Sequence, residues 1–128
     1  MPKNKIDFDS VREIGLTLPG VEAATMHGSP ALKLRGALLA CIPTHGSAEP
    51  DSIVVRVDPG NRAELLAEAP DAYYLPDHYV EYNAVLVRLS RVNRDVLKDL
   101  LRMAHKFLMR KATSRTAARK TRKRKPRA

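Results

Sequence analysis

The chain has 128 residues, 44% of them hydrophobic, which suits one domain with a buried core and not two. Its single cysteine, Cys41, excludes an intramolecular disulfide and a cysteine-type structural zinc site, and no apolar run approaches the roughly 20 residues that cross a membrane. The net charge of +9 is unevenly spread: eleven of the 23 Lys and Arg lie from Lys106 onward without one Asp or Glu, while the other twelve share the first 105 residues with all 14 carboxylates.

The N-terminus, Met1 to Asp7, lacks the apolar core of a signal peptide, so a reducing cytoplasmic setting is expected. The first helix is expected where Phe8, Val11, Ile14 and Leu18 recur at three- and four-residue spacing. Asp7, or a capping box of Ser10 with Glu13, would start it, and Pro19-Gly20 would end it. Two strands, Ala31 to Leu34 and Ala37 to Pro43, flank Arg35-Gly36, a two-residue hairpin signal. Thr44 to Asp51 reads as a turn-rich loop, and Ser52 to Val57 as a third strand. Asp58-Pro59 pairs an N-cap with proline at the first helical position, and the short helix so begun runs to about Glu68. A short strand is expected over Ala72 to Leu75, a polar loop over Pro76 to Asn83, and a β-branched strand over Ala84 to Leu89. Asn93 caps a long helix whose stripe is Val96, Leu97, Leu100, Leu101, Ala104, Phe107 and Leu108.

The order α-β-β-β-α-β-β-α describes an α+β fold: a single antiparallel sheet with helices packed against it. Residues 1–110 form that domain. Residues 111–128 form a Lys/Arg-rich tail that is expected to be disordered alone, because from Thr113 onward it holds no bulky apolar residue.

Four stretches carry a resemblance to a known family: Val11 to Gly20 (VREIGLTLPG), Thr25 to Gly36 (TMHGSPALKLRG), Val55 to Pro59 (VRVDP) and Tyr82 to Val92 (YNAVLVRLSRV). In this order and spacing the chain resembles the MmcQ/YjbR family of small bacterial proteins over roughly Asp7 to Leu108. The resemblance implies an α-β(3)-α-β(2)-α fold similar to frataxin-like and secretion-chaperone-like proteins. It implies neither an enzymatic activity nor a cofactor, and a DNA-binding role that rests on structural analogy. His27 stands where the family carries an aromatic beside the glycine.

The expected function is non-enzymatic, sequence-nonspecific DNA binding. The cations Arg110, Lys111, Arg115, Arg119, Lys120, Arg122, Lys123, Arg124, Lys125 and Arg127, together with Lys106, would neutralise phosphates and release counterions. Lys33 and Arg35, in the hairpin, would add a second contact or would be solvated strand residues. Arg88, Arg91 and Arg94 would either extend the cationic track or pair with Asp95 or Asp99. DNA is favoured over RNA, and nucleoid association would follow. With aromatics at only 5% and no Trp, base stacking is a poor basis for binding. No membrane partner is expected, since no large hydrophobe accompanies the tail's charges, and the chain is expected to be a monomer or weak homodimer.

The alternative is a small protein-interaction or ligand-binding module. Its groove candidates are His27, His78, Tyr79 and Tyr82, with Tyr73 and Tyr74 nearby, although these tyrosines would equally cover a sheet edge. The histidines, His105 among them, show no helical ligand spacing, so no metal is expected. Cys41 reads as a packed core thiol without an adjacent base, Ser29 lies in no nucleophile elbow, and no catalytic residue is assigned.

Overall fold

A computed structural model describes residues 6–26 and 28–124, with side chains through Lys111. Helix α1 (Phe8–Gly15) starts at Asp7, whose carboxylate accepts from the Ser10 N–H at 3.2 Å. It buries Phe8, Val11 and Ile14 and ends sooner than its apolar stripe, leaving Leu18 half-buried in the following turn. Gly15 lets this helix approach the sheet. A Cβ there would lie 2.5 Å from Leu32 Cδ1, and Leu32 is fully buried.

Six strands follow: β1 (Val21–Met26), β2 (Ser29–Leu34), β3 (Ala37–Cys41), β4 (Ser52–Arg56), β5 (Tyr73–Tyr74) and β6 (Ala84–Arg88). They form one antiparallel sheet in the order β1-β2-β3-β4-β6-β5. The architecture is the expected α+β fold, with one strand more than its residue pattern suggests. That strand, β1, pairs along its whole length with β2. Arg35 and Gly36 turn between β2 and β3 with φ of 52° and 86°, the paired positive values of a type I′ hairpin. In β3 the register skips Leu39: Leu32 faces Ala40 and Lys33 faces Leu38. This bulge turns both Leu39 and Ala40 to one side of the sheet.

Helix α2 (Pro59–Glu68) is capped by the Asp58 carboxylate, which accepts from Gly60 N–H at 2.8 Å, with proline in its first turn. It buries no residue fully and packs by Leu65 and Leu66 near β5 and β6. Helix α3 (Arg94–Arg124) opens on Asn93, whose side chain accepts from Val96 N–H at 2.8 Å. Leu97, Leu100, Leu101, Ala104, Phe107 and Leu108 form its buried stripe; Val96, expected in that stripe, is exposed. The helix does not stop where the stripe stops. It continues as helical backbone to Arg124, through residues expected to be disordered. Ala, Arg and Lys are strong helix formers, and a helix already nucleated by packing extends at little cost. Lys125 and Arg127 lie outside the described residues.

The two faces of the sheet are covered differently. Helices α1 and α3 close the inner face over Leu32, Leu39, Ile53, Val55, Val85 and Val87. On the outer face Ala31, Cys41, Val54, Ala84 and Leu86 meet no helix. Two connections lie over them: the chain from Ile42 to Asp51, and the chain from Leu75 to Asn83, which contains one 3-10 turn, Asp77–Tyr79. Among the described residues no helix is long and apolar enough to cross a membrane.

Candidate functional site

Loops cover a sheet face less completely than helices do, and here they leave a cavity of about 340 Å³ between themselves and the outer face. Leu38, Cys41 and Val54 form its floor, with Met26 and Ala84 beside them. His45 from one loop and His78, Tyr79 and Tyr82 from the other form its rim. The two loops meet ring on ring. His45 and His78 stack with centroids 3.7 Å apart and planes 12° apart. Tyr79 stands edge-on to His78 at 4.8 Å, and Tyr82 tilts toward His78 at 6.1 Å. Tyr79 is buried, whereas Tyr82 is 55% exposed and forms the outer lip.

Polar staples hold both loops. Arg88 grips Glu49 with two 2.8 Å hydrogen bonds and donates to the Pro70 and Asp71 carbonyls. Its guanidinium lies 4.3 Å from the centre of the Tyr74 ring. The Tyr74 hydroxyl accepts from Glu49 N–H at 2.7 Å and bonds the Ser52 hydroxyl. Below the second loop, one Arg62 nitrogen lies 3.2 Å from each of the Val80, Tyr82 and Ala84 carbonyls. His45 is oriented locally. Ser47 N–H donates to its Nδ1 at 3.1 Å, which leaves the ring proton on Nε2.

Two groups set the chemistry of the cavity. Burial pushes the Cys41 thiol up to about 11, which disfavours the reactive thiolate at neutral pH. Arg56 is the cavity's cation. Its side chain is half-buried, its Nε donates to the Asn83 carbonyl at 3.1 Å, and burial lowers its pKa. Among the described residues it pairs with no carboxylate, and no Asp or Glu lines the cavity. The same residues contain no group of three or more His, Cys, Asp or Glu able to hold a metal ion.

Of the groove residues read from the sequence, His78, Tyr79 and Tyr82 come together here, and His27 lies outside the described residues. Tyr73 does not join them, being buried in the inner core. Sequence reasoning missed His45 and Arg56. His45 reaches His78 only across a fold-level contact, and Arg56 reads simply as the outward residue of an alternating strand.

The basic residues fall into distinct settings. Arg35 lies beside Lys111 in a cleft of about 160 Å³ between the β2-β3 hairpin and α3. Among the described residues, Arg56 is the third cation lining that cleft, and no carboxylate lines it. Lys33, half-buried, stands across the ladder from Glu22 on the outer face. Arg110 reaches Asp58 at 3.3 Å. Arg88 and Arg94 pair with neither Asp95 nor Asp99; their partners are Glu49 and Glu13, from distant parts of the chain. His105 Nε2 donates to the Pro19 carbonyl at 2.8 Å, tying α3 to the end of α1.

Sheet order, helix placement and loop-covered outer face define a small α+β domain of one particular type. The YjbR family model matches residues 16–107. The chain belongs to the YjbR family. Its fold is similar to the crystal structure of Deinococcus radiodurans protein DR2400, assigned to DUF419, with a TM-score of 0.69 and 20% sequence identity. That likeness covers 88% of this chain and 85% of the other. A search of curated proteins finds no match.

Proposed function

We propose that the protein binds duplex DNA without sequence preference and without catalysis, as a cytoplasmic, nucleoid-associated protein, and that the basic C-terminal segment supplies most of the affinity. The observation that carries this reading is the segregation of charge: eleven cations and no carboxylate from Lys106 onward. Each phosphate neutralised releases condensed counterions, and contacts of this kind read no bases. The helical backbone through Arg124 supports the reading. Lys111, Arg115, Arg119 and Arg122 recur in the sequence at spacings of four, four and three. The cleft that gathers Arg35, Arg56 and Lys111 supplies a second cationic surface at the root of that segment, and joining the two raises the effective concentration of each at the duplex.

A salt titration of duplex binding tests it, on the full chain and on a full-length variant with Arg115, Arg119, Arg122, Lys123 and Arg124 changed to Gln. With about half of the segment's charges engaged, the log–log slope is roughly −5, a loss of about a thousandfold between 50 and 200 mM salt. The variant keeps six of the eleven cations and should lose roughly half of the slope, with a correspondingly large loss of affinity at the higher salt. Equal binding by both proteins would move the interface onto the Arg35 cleft. Absence of binding by the full chain would end the reading.

A further inference from the structure

The outer-face cavity shares one residue, Arg56, with the cationic cleft of the DNA reading, and the rest of its lining is its own. Its walls are mainly apolar side chains and aromatic rings, and its polar groups are few and convergent, the usual make-up of a small-molecule site. The about 340 Å³ it encloses lies within the range of such sites. A ligand there meets Cys41, Val54 and Leu38 beneath it and the rims of His78 and Tyr82 beside it. Flat apolar surface and ring edges favour a planar, aromatic body.

One charge then decides the class. Among the described residues, Arg56 is the only Lys or Arg lining the cavity, and no Asp or Glu lines it. Its guanidinium spends Nε on the Asn83 carbonyl and has no carboxylate partner among the described residues. A half-buried guanidinium has lost part of its hydration, so an anion that meets its planar fork recovers more than it would at an open surface. A carboxylate matches that fork. Chemistry on the ligand is disfavoured: the stacked His45 and His78 rings lie parallel instead of converging on one point, and burial disfavours the thiolate of Cys41, the nearest nucleophile type, at neutral pH. We propose that this cavity is a binding site for a small aromatic carboxylate, its ring over Cys41 and Val54 and its carboxylate on Arg56.

The test uses the full chain, 2-naphthoate as probe, and neutral 2-naphthamide as its near-isosteric control. Binding is followed by amide and side-chain NMR shifts and by calorimetry. Naphthoate should shift the resonances of Cys41, His45, His78 and Tyr82 in one saturable process, and naphthamide should bind at least tenfold more weakly. Arg56→Gln should abolish that preference while leaving the thermal midpoint close to that of the parent. Because the basic segment is intact in this variant, naphthoate merely attracted to the cations from Lys106 onward would bind it undiminished. The site should also protect Cys41: saturating naphthoate should slow its alkylation at pH 9 by more than threefold, a readout that needs no variant. Equal affinity for acid and amide overturns the proposal. So do cavity resonances unmoved at millimolar naphthoate. Neither result bears on DNA binding, so the two readings stand or fall separately.

Discussion

The two faces of one sheet are finished by different means. On the inner face α1 and α3 lay continuous apolar stripes over Val55, Val85 and Leu32, each fully buried. On the outer face a smaller apolar patch lies under two loops whose hold is mostly polar: Arg88 on Glu49, Arg62 on three carbonyls, His45 on His78. Stripes interdigitate and leave little space, whereas a loop pinned at a few polar points spans what lies beneath it. The cavity is the consequence. Stability resides on the inner face, and room for a ligand on the outer one.

The largest expected effect tests that division directly. Leu101, on α3, has no exposed surface. Leu101→Ala removes buried methyl groups from a packed layer and should cost about 2–5 kcal/mol. His78→Ala removes the ring stack from an exposed loop position and should cost about 1 kcal/mol or less. Urea denaturation of both variants measures the pair. Similar losses would mean that the outer loops carry as much of the fold as the helices do.

The inner face was the more legible in sequence. Its helices announce themselves by period and caps: Asp7, Asp58-Pro59 and Asn93 all stand where their residue types demand, because an N-cap is a local bond between neighbours. Arg35-Gly36 was legible for a similar reason, since two consecutive positive φ values need a glycine nearby. β1 was not. Val21-Glu22-Ala23-Ala24-Thr25-Met26 is poor in β-branched residues, and it is a strand because β2 offers it a ladder. The outer site was half legible. His78, Tyr79 and Tyr82 sit within five residues and attract notice together, but their partner His45 and the staple Arg88–Glu49 join residues more than thirty positions apart. No spacing rule encodes such contacts. The backbone of α3 runs on to Arg124, past its apolar stripe; apolar content tells what is buried and is silent on helix propensity.

A smaller effect, still a global one, separates the faces by pH. The Cys41 thiol stands at about 11 in the folded chain against an ordinary 9.0. A pKa raised by folding gives stability that is fully present below pH 9 and is lost as pH rises through 11, by about 2–3 kcal/mol in all. Tyr73 and Tyr79, also pushed up by burial, add a loss of the same sign above pH 10. The comparison is therefore between two curves. Cys41→Ala should flatten the decline between pH 9 and 11 without removing it, as followed by urea midpoints across that range. Identical curves for parent and variant would place the alkaline loss elsewhere than on the outer floor.

The smallest effect is confined to one loop. Arg88 hydrogen-bonds Glu49 and thereby holds its carboxyl below the ordinary 4.5. A lowered carboxylate pKa gives a contribution that is present above 4.5 and fades as pH falls through the folded value. Both partners lie near solvent, so water screens the pair and little global stability depends on it. What depends on it is the placement of His45, because Glu49 anchors the loop that carries that ring across the cavity. Glu49→Gln should leave the unfolding midpoint within error at pH 7. It should raise amide exchange over residues 44–51 and broaden the His45 ring signals, effects that the parent chain shows only under acid. If Glu49→Gln leaves that exchange unchanged, the Tyr74 hydroxyl and the ring stack hold the loop without the ion pair, and the outer face is less dependent on charge than its contacts suggest.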